Sequence, residues 1–341
     1  MAEPVQRYNA GTQRAKGLLE VASALYDTSL SRESVRPGRR QIDSRVGTRV
    51  TLSLDAVPGR MPDAVSVSFR AGGFRAALEA VARGDVSLHW INPSAAVTMA
   101  VAGTGPFAEP LPLRAIAVFP SWDVMGFAVH SSTGITSLEE IAEKRPVLNL
   151  STRTTIEPPF DEDGTMFTVD AVLAAAGFSL ADMRAWGGTV QPVSRPSDEA
   201  RLLGIASGAV NAVFDEGIKS WSGHALEHGF RFLPIEGAVR ERLAGMGFRP
   251  VMMPAARIPG LPEDVPTLDF SGWPMVVNTD MPDDVAYALC EAIALRADAI
   301  PTDNGRPVDM AQLPGDDFEA PLDVGLHPGA ERFYREHGFL T

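Results

Sequence analysis

Two hydrophobic periods alternate along this chain. Residues 12–30 place Leu18, Val21, Ala22, Leu25 and Tyr26 on one face of a helix. The stretch 31–47 is polar and punctuated by proline and glycine, which predicts a linker or surface loop. Short β patterns follow at 49–54 and 65–69. The turn-rich Pro58-Gly59-Arg60-Met61-Pro62-Asp63 between them leaves too few residues for a helical crossover. From there strands and helices take turns. Gly72-Gly73 opens a helix carrying Phe74, Ala77, Leu78 and Val81 at helical spacing, stopped by Gly84. A strand at 86–91 ends at Asn92-Pro93-Ser94, and a helix at 95–102 stops at Gly103. Further strands are expected at 113–119, 125–130, 147–150, 210–214, 230–233 and 275–278, and helices at 165–176, 197–207, 218–227 and 283–299. Ser137 and Glu140 have the spacing of a capping box.

Strands alternating with helices of about ten residues indicate an α/β protein of mainly parallel sheets with helices on their faces. A chain of 341 residues exceeds what one hydrophobic core usually covers, so two lobes are expected. After Gly247 the chain is proline-rich (Pro250, Pro254, Pro259, Pro262, Pro266), which suits an extended return between lobes. The expected organisation is an N-terminal helix and linker over 1–47, a discontinuous first lobe over 48–125 and 248–341, and a second lobe over 126–247.

Charge and composition remove several functions. A net charge of −13 opposes a nucleic-acid groove, because phosphate binding needs a basic stripe. The densest basic run, 36–45, also holds Asp43 and reads as a solvated face. The single cysteine, Cys290, sits in an apolar helix pattern as core filler, and no Cys/His cluster has zinc-ligand spacing. No run approaches the ~18 to 20 apolar residues of a membrane span. No basic segment abuts an apolar run near Met1, so the chain as it stands is expected to be cytoplasmic, or periplasmic if an export signal has been removed. No cofactor motif is present: neither a P-loop, a dinucleotide fingerprint nor a nucleophile elbow.

Four segments carry a family resemblance. Gly103-Thr104-Gly105-Pro106-Phe107 with Pro112-Leu113-Arg114 looks like the segment after the third strand of the TAXI family of TRAP-transporter solute receptors. Gly134-Ile135-Thr136-Ser137-Leu138-Glu139-Glu140-Ile141 is similar to the turn that starts their second lobe. Pro254-Ala255-Ala256-Arg257-Ile258-Pro259-Gly260, with Asp264-Val265-Pro266-Thr267-Leu268, resembles their proline-rich return. The most specific segment is Leu326-His327-Pro328-Gly329-Ala330-Glu331-Arg332-Phe333-Tyr334, close to their terminal helix. The resemblance covers about residues 65–338. It implies a two-lobed type II periplasmic-binding-protein fold, a small organic acid held in a cleft between lobes, and a TRAP membrane subunit as partner. The front departs from the family: Tyr8-Asn9-Ala10-Gly11-Thr12-Gln13 lacks the repeated glycines of the first ligand loop.

Ligands of open α/β sheets collect beyond the carboxyl ends of strands. That rule selects Trp90, Asn92 and Ser94 after one strand, with Ser94 equally an N-cap. His89 alternates with Trp90 and reads as a core histidine. Trp122, after the 113–119 strand, reads as a ligand wall or as packing at the crossing. After 147–150 come Ser151 and Arg153, the latter suited to a bidentate bond with a carboxylate. The acidic stretch Asp161-Glu162-Asp163 follows. Gly164 and Thr165 then correspond, by the resemblance, to a ligand loop. Phe214, Asp215 and Glu216 end the 210–214 strand, and the two acids suit an amino or hydroxyl group, acid–base chemistry, or a helix cap. His224 and His228 stand at i, i+4 but lack a metalloprotease glutamate, so no metal site is expected.

Two functional classes remain open. One is a solute receptor without covalent chemistry. The other is a cytoplasmic enzyme on the same fold, such as a decarboxylase, isomerase or lyase of an aromatic or dicarboxylic acid, with His89, Asp123, Asp215 and Glu216 as candidate catalytic groups.

Overall fold

The amphipathic pattern at the amino end becomes α1 (Ala10–Ser29). Its face of Leu18, Val21, Ala22 and Leu25 is buried in the same core as Leu289, Cys290 and Ile293 near the carboxyl end of the chain. In this computed structural model the described residues are 10–29, 36–43, 49–55, 65–71, 73–155, 157, 159 and 163–341. Tyr8 and Asn9 of the candidate first loop, the 58–63 turn, Gly72, and Asp161 and Glu162 of the acidic stretch lie outside them.

The expected linker contains a strand, β1 (Arg36–Asp43), paired antiparallel with β2 (Arg49–Asp55). Its pattern was illegible because its register shifts between Pro37 and Arg40. Proline and glycine are tolerated at such an irregularity on a sheet edge. The next strand, β3 (Val65–Ala71), runs antiparallel to β2, consistent with the short link between them. Next come α2 (Arg75–Ala82), β4 (Leu88–Trp90), α3 (Ala95–Ala102) and β5 (Leu113–Phe119).

The chain then builds β6 (Gly126–His130), α4 (Leu138–Lys144), β7 (Asn149–Arg153), α5 (Gly164–Ala176), α6 (Leu180–Ala185) and β8 (Thr189–Val193). It continues through α7 (Glu199–Ser207), β9 (Ala212–Asp215), α8 (Ser222–Glu227), β10 (Phe230–Phe232), α9 (Gly237–Gly245), β11 (Pro250–Met253) and β12 (Val265–Leu268). The last elements are β13 (Trp273–Asn278), α10 (Asp283–Leu295) and α11 (Pro328–Glu336).

Two units result: Met1–Trp122 with Ser271–Thr341, and Asp123–Phe270. The return therefore falls at 270/271, not at 248. The proline-rich segment forms the antiparallel β11–β12 pair, and the Ile235 amide donates to the Pro266 carbonyl at 2.8 Å, which ties that pair into the second unit. Within the segment expected as helix and linker, α1 packs into the first unit's core.

The first unit's six-stranded sheet has the order β1-β2-β3-β4-β13-β5, and the second unit's five-stranded sheet the order β10-β6-β9-β7-β8. By direction, β1, β3, β4 and β5 agree while β2 and β13 oppose them; β7, β8, β9 and β10 agree while β6 opposes them. Most strands thus share one direction, but many hydrogen-bonded neighbours are antiparallel because β2, β13 and β6 are inserted between strands of the other sense.

The terminal motif is a docking device. His327 Nδ1 accepts the Gly329 amide at 3.2 Å, Pro328 sits in the first turn, and Tyr334 donates to the Ile116 carbonyl of β5 at 3.1 Å. Gly329 is required there: a Cβ would stand 2.1 Å from the Asp283 carbonyl oxygen. Cys290 is fully buried, and burial pushes its thiol well above the usual range.

Candidate functional site

In the second unit β7 and β9 are parallel neighbours, so their carboxyl ends lie side by side. Arg153 ends β7, Asp215 ends β9, and Glu216 follows. The turn after Glu216 is fixed by Asp123, whose carboxylate accepts the amides of Gly217 (2.9 Å) and Ile218 (3.1 Å). Gly217 adopts φ 65°, and a Cβ there would meet Pro196 at 2.3 Å, so glycine is the residue this tight approach permits.

Two ion pairs converge on these acids. Arg201, from the buried face of α7, donates to Asp215 Oδ2 at 2.5 Å, to Ser151 Oγ at 3.1 Å and to the Pro196 carbonyl at 3.1 Å. Both side chains of that pair are sealed from solvent. Arg153 pairs with Glu216 through Nη2, and its Nε lies 3.3 Å from Asp215 Oδ1. Here the side chains retain 19% and 12% exposure. The Asp215 Oδ1 atom also accepts the Glu216 amide at 2.8 Å, and the Trp221 indole donates to the Glu216 carbonyl at 3.0 Å.

Protonation follows from this crowding. Burial pushes the Glu216 carboxyl well above its usual range; Asp123 and Asp215 push the same way, while Arg153 opposes them. Burial also raises Asp123, against the Glu216 hydrogen bond and the Gly217 and Ile218 amides. Burial works against the charge of Arg153, but Asp215 and Glu216 outweigh it and hold the guanidinium above its ordinary value.

The cluster unites four sequence-selected residues: Asp123, Arg153, Asp215 and Glu216. Ser151 lies beneath it, fully buried and accepting from Arg201. Phe214 is core, tilted on Phe127 at 5.1 Å. Gly164 and Thr165 open α5, where the amides of Thr165 and Met166 are each capped by Asp163 Oδ1 at 3.1 Å. Asp163 is thus a helix cap that also favours the charge on Arg153.

The candidates of the first unit sit elsewhere. Trp90 is fully buried, its indole donating to the Trp273 carbonyl at 2.9 Å and its ring packed on Phe119 at 4.5 Å. The fold thus places Trp90, selected as a ligand contact, in the core. His89 is equally buried in β4. Ser94 precedes α3 without a side-chain cap bond, and its hydroxyl donates to the Pro321 carbonyl at 2.6 Å. Asn92 begins the cis Asn92–Pro93 peptide, with its side-chain oxygen buried. Trp122 stacks on Phe318 at 6.4 Å.

His224 and His228 are half-buried, each bonded to a backbone carbonyl, of Leu202 and His224 respectively. Among the described residues no group of three or more His, Cys, Asp or Glu is placed to hold a metal, and no helix is long and apolar enough to cross a membrane.

Sequence reasoning missed Arg201 and Trp221. The signal for Arg201 was available: it shares the buried face of α7 with Gly204 and Ile205, and a cation on an apolar helix face implies a buried partner.

Two α/β units joined by two chain crossings, with polar groups gathered at strand ends, define a type II periplasmic-binding-protein-like fold. The chain belongs to the NMT1-like family, whose profile matches residues 64–338. No curated protein matches it. Among solved structures it is similar to PhnD1 of Prochlorococcus marinus in complex with methylphosphonate, at 13% identity over 78% of this chain and 83% of that one, with a TM-score of 0.37. A binding-protein component of an ABC phosphonate transporter from Pseudomonas aeruginosa gives 11% identity over 63% and 58%, with a TM-score of 0.34. The substrate-binding protein of an amino acid ABC transporter gives 10% over 64% and 68%, with a TM-score of 0.26. Likenesses this distant do not indicate what the present chain binds.

Proposed function

We propose that the protein is a solute receptor that captures a small organic carboxylate at the strand ends of its second unit, with Arg153 as the anion partner. One observation carries this reading. Of the two arginines that pair with the strand-end acids, Arg201 of α7 is sealed beneath Asp215, whereas Arg153 at the end of β7 keeps solvent access beside groups that fix its orientation. A guanidinium held in this way has the geometry for recognition of a carboxylate, and it already pairs with that of Glu216. The four segments from Gly103 to Tyr334 that resemble TAXI receptors support a TRAP-type membrane subunit as the partner.

The test is a thermal-shift screen of organic acids on the full chain, followed by recovery and analysis of the bound compound. A receptor is stabilised and returns its ligand unchanged. Arg153→Ala should weaken binding at least tenfold while the protein stays folded; unchanged affinity removes Arg153 from the site. A second reading is favoured by the Asp123 and Glu216 carboxyls, both raised by burial and each acting on the other, which have the make-up of a general acid and base. Turnover of the bound acid would establish that reading and sink the receptor.

A further inference from the structure

The place on Arg153 that a ligand carboxylate would take is already filled by Glu216 of the same chain. Asp215 cannot vacate its own position: Arg201 holds one oxygen at 2.5 Å, and the Glu216 amide binds the other at 2.8 Å. Glu216 is the movable partner, since its side chain retains solvent access and its second neighbour is the Asp123 carboxylate. Asp123 is fixed by the amides of Gly217 and Ile218. At rest the Arg153 cation lies on Glu216; once a ligand takes that cation, the Glu216 and Asp123 carboxyls face each other without it, and one proton between them removes the repulsion.

We propose that a ligand carboxylate binds Arg153 by displacing Glu216, and that the displaced side chain is kept protonated against Asp123, so that anion capture takes up a proton. The idea rests on the receptor reading of this site and adds its regulation. Charge balance requires the coupling. Glu216 is faced by Asp123 before β6, Arg153 of β7 and Asp215 of β9; around them Asp163, capping α5, acts on Arg153, Arg201 of α7 pairs with Asp215, and Lys219 acts on Asp123. Acids already outnumber bases there. A further anion without a proton would leave Glu216 charged among Asp123, Asp215 and the ligand. With one proton taken up from solvent, the ligand's charge replaces that of Glu216 on Arg153 and the net charge of the cluster is unchanged.

The experiment uses acetate as probe on the full chain, between about pH 5.5 and 8.5, where acetate stays ionised. Titration calorimetry in two buffers of unlike ionisation enthalpy should show close to one proton taken up per acetate at the alkaline end. Affinity there should fall up to tenfold per pH unit. In Glu216→Gln the occupant is neutral, so acetate should bind more tightly than to wild type at the alkaline end, with little pH dependence. Wild-type binding that is flat with pH and exchanges no proton overturns the proposal and leaves the receptor reading standing. Loss of acetate binding in Glu216→Gln, in a chain that still melts cooperatively, also overturns it. No acetate binding to either chain at any pH overturns both. The wild-type measurement decides the matter even if the variant does not fold.

Discussion

The strand ends of the two units carry different polar groups and use them differently. In the first unit the polar groups after β4 are committed to neighbouring backbone: the Trp90 indole to Trp273, the Ser94 hydroxyl to Pro321 and the Ser94 amide to Ser271. Neutral groups matched to carbonyls make a scaffold, and exchanging them for a ligand would leave buried acceptors unsatisfied. In the second unit the groups after β7 and β9 are charged and matched to one another. A charge matched to another charge can be exchanged for a ligand's charge, provided one partner reaches solvent. Arg153–Glu216 meets that condition and Arg201–Asp215 does not.

The contrast can be broken most forcefully at the sealed pair. Asp215→Ala leaves Arg201 buried and uncompensated, and should cost about 3 to 5 kcal/mol in urea unfolding. A loss below about 1 kcal/mol would mean that the sealed pair is no different from the accessible one. In the first unit Ser94→Ala removes a single neutral bond and leaves the Pro321 carbonyl without that donor; about 1 kcal/mol is expected, with no change in ligand affinity. A change in affinity would bring Ser94 into the site.

The smallest effect is a slope. Glu216 has its folded pKa above its unfolded value, so its contribution to stability is full below the unfolded pKa and is lost as pH rises through the folded one. Glu216→Gln should therefore flatten the decline of melting temperature from about pH 4.5 upward. A variant with the wild-type slope would show that the cluster holds Glu216 charged.

Much of the fold was legible because its signals are local. The α1 face, the glycine stops and the Ser137 cap come from periodicity and turn chemistry, and the Glu140 amide does donate to Ser137 at 3.3 Å. The Glu140 carboxylate instead serves Thr136 and Lys144, which with Lys144 foremost hold it down to about 2. What escaped depends on partners far along the chain. β1 is a strand through its pairing with β2 despite Pro37 and Gly38. The residues 250–268 join the second unit through a hairpin and a bond to Ile235. In the candidate site, residue type identified Arg153, Asp215 and Glu216. Only three-dimensional burial separates Arg153 from Arg201, or shows that Trp90 and Phe214 belong to the core.

The position of β13 has a consequence for biosynthesis. It lies between β4 and β5, yet it is made about 150 residues after β5. At roughly 5 to 20 residues per second, the ribosome leaves β4 and β5 without their shared neighbour for about 8 to 30 seconds. The second unit is one continuous segment, and it is the stretch made during that interval. The nascent first sheet meanwhile waits with open edges next to Trp90 and Phe119, and is the natural client for a chaperone.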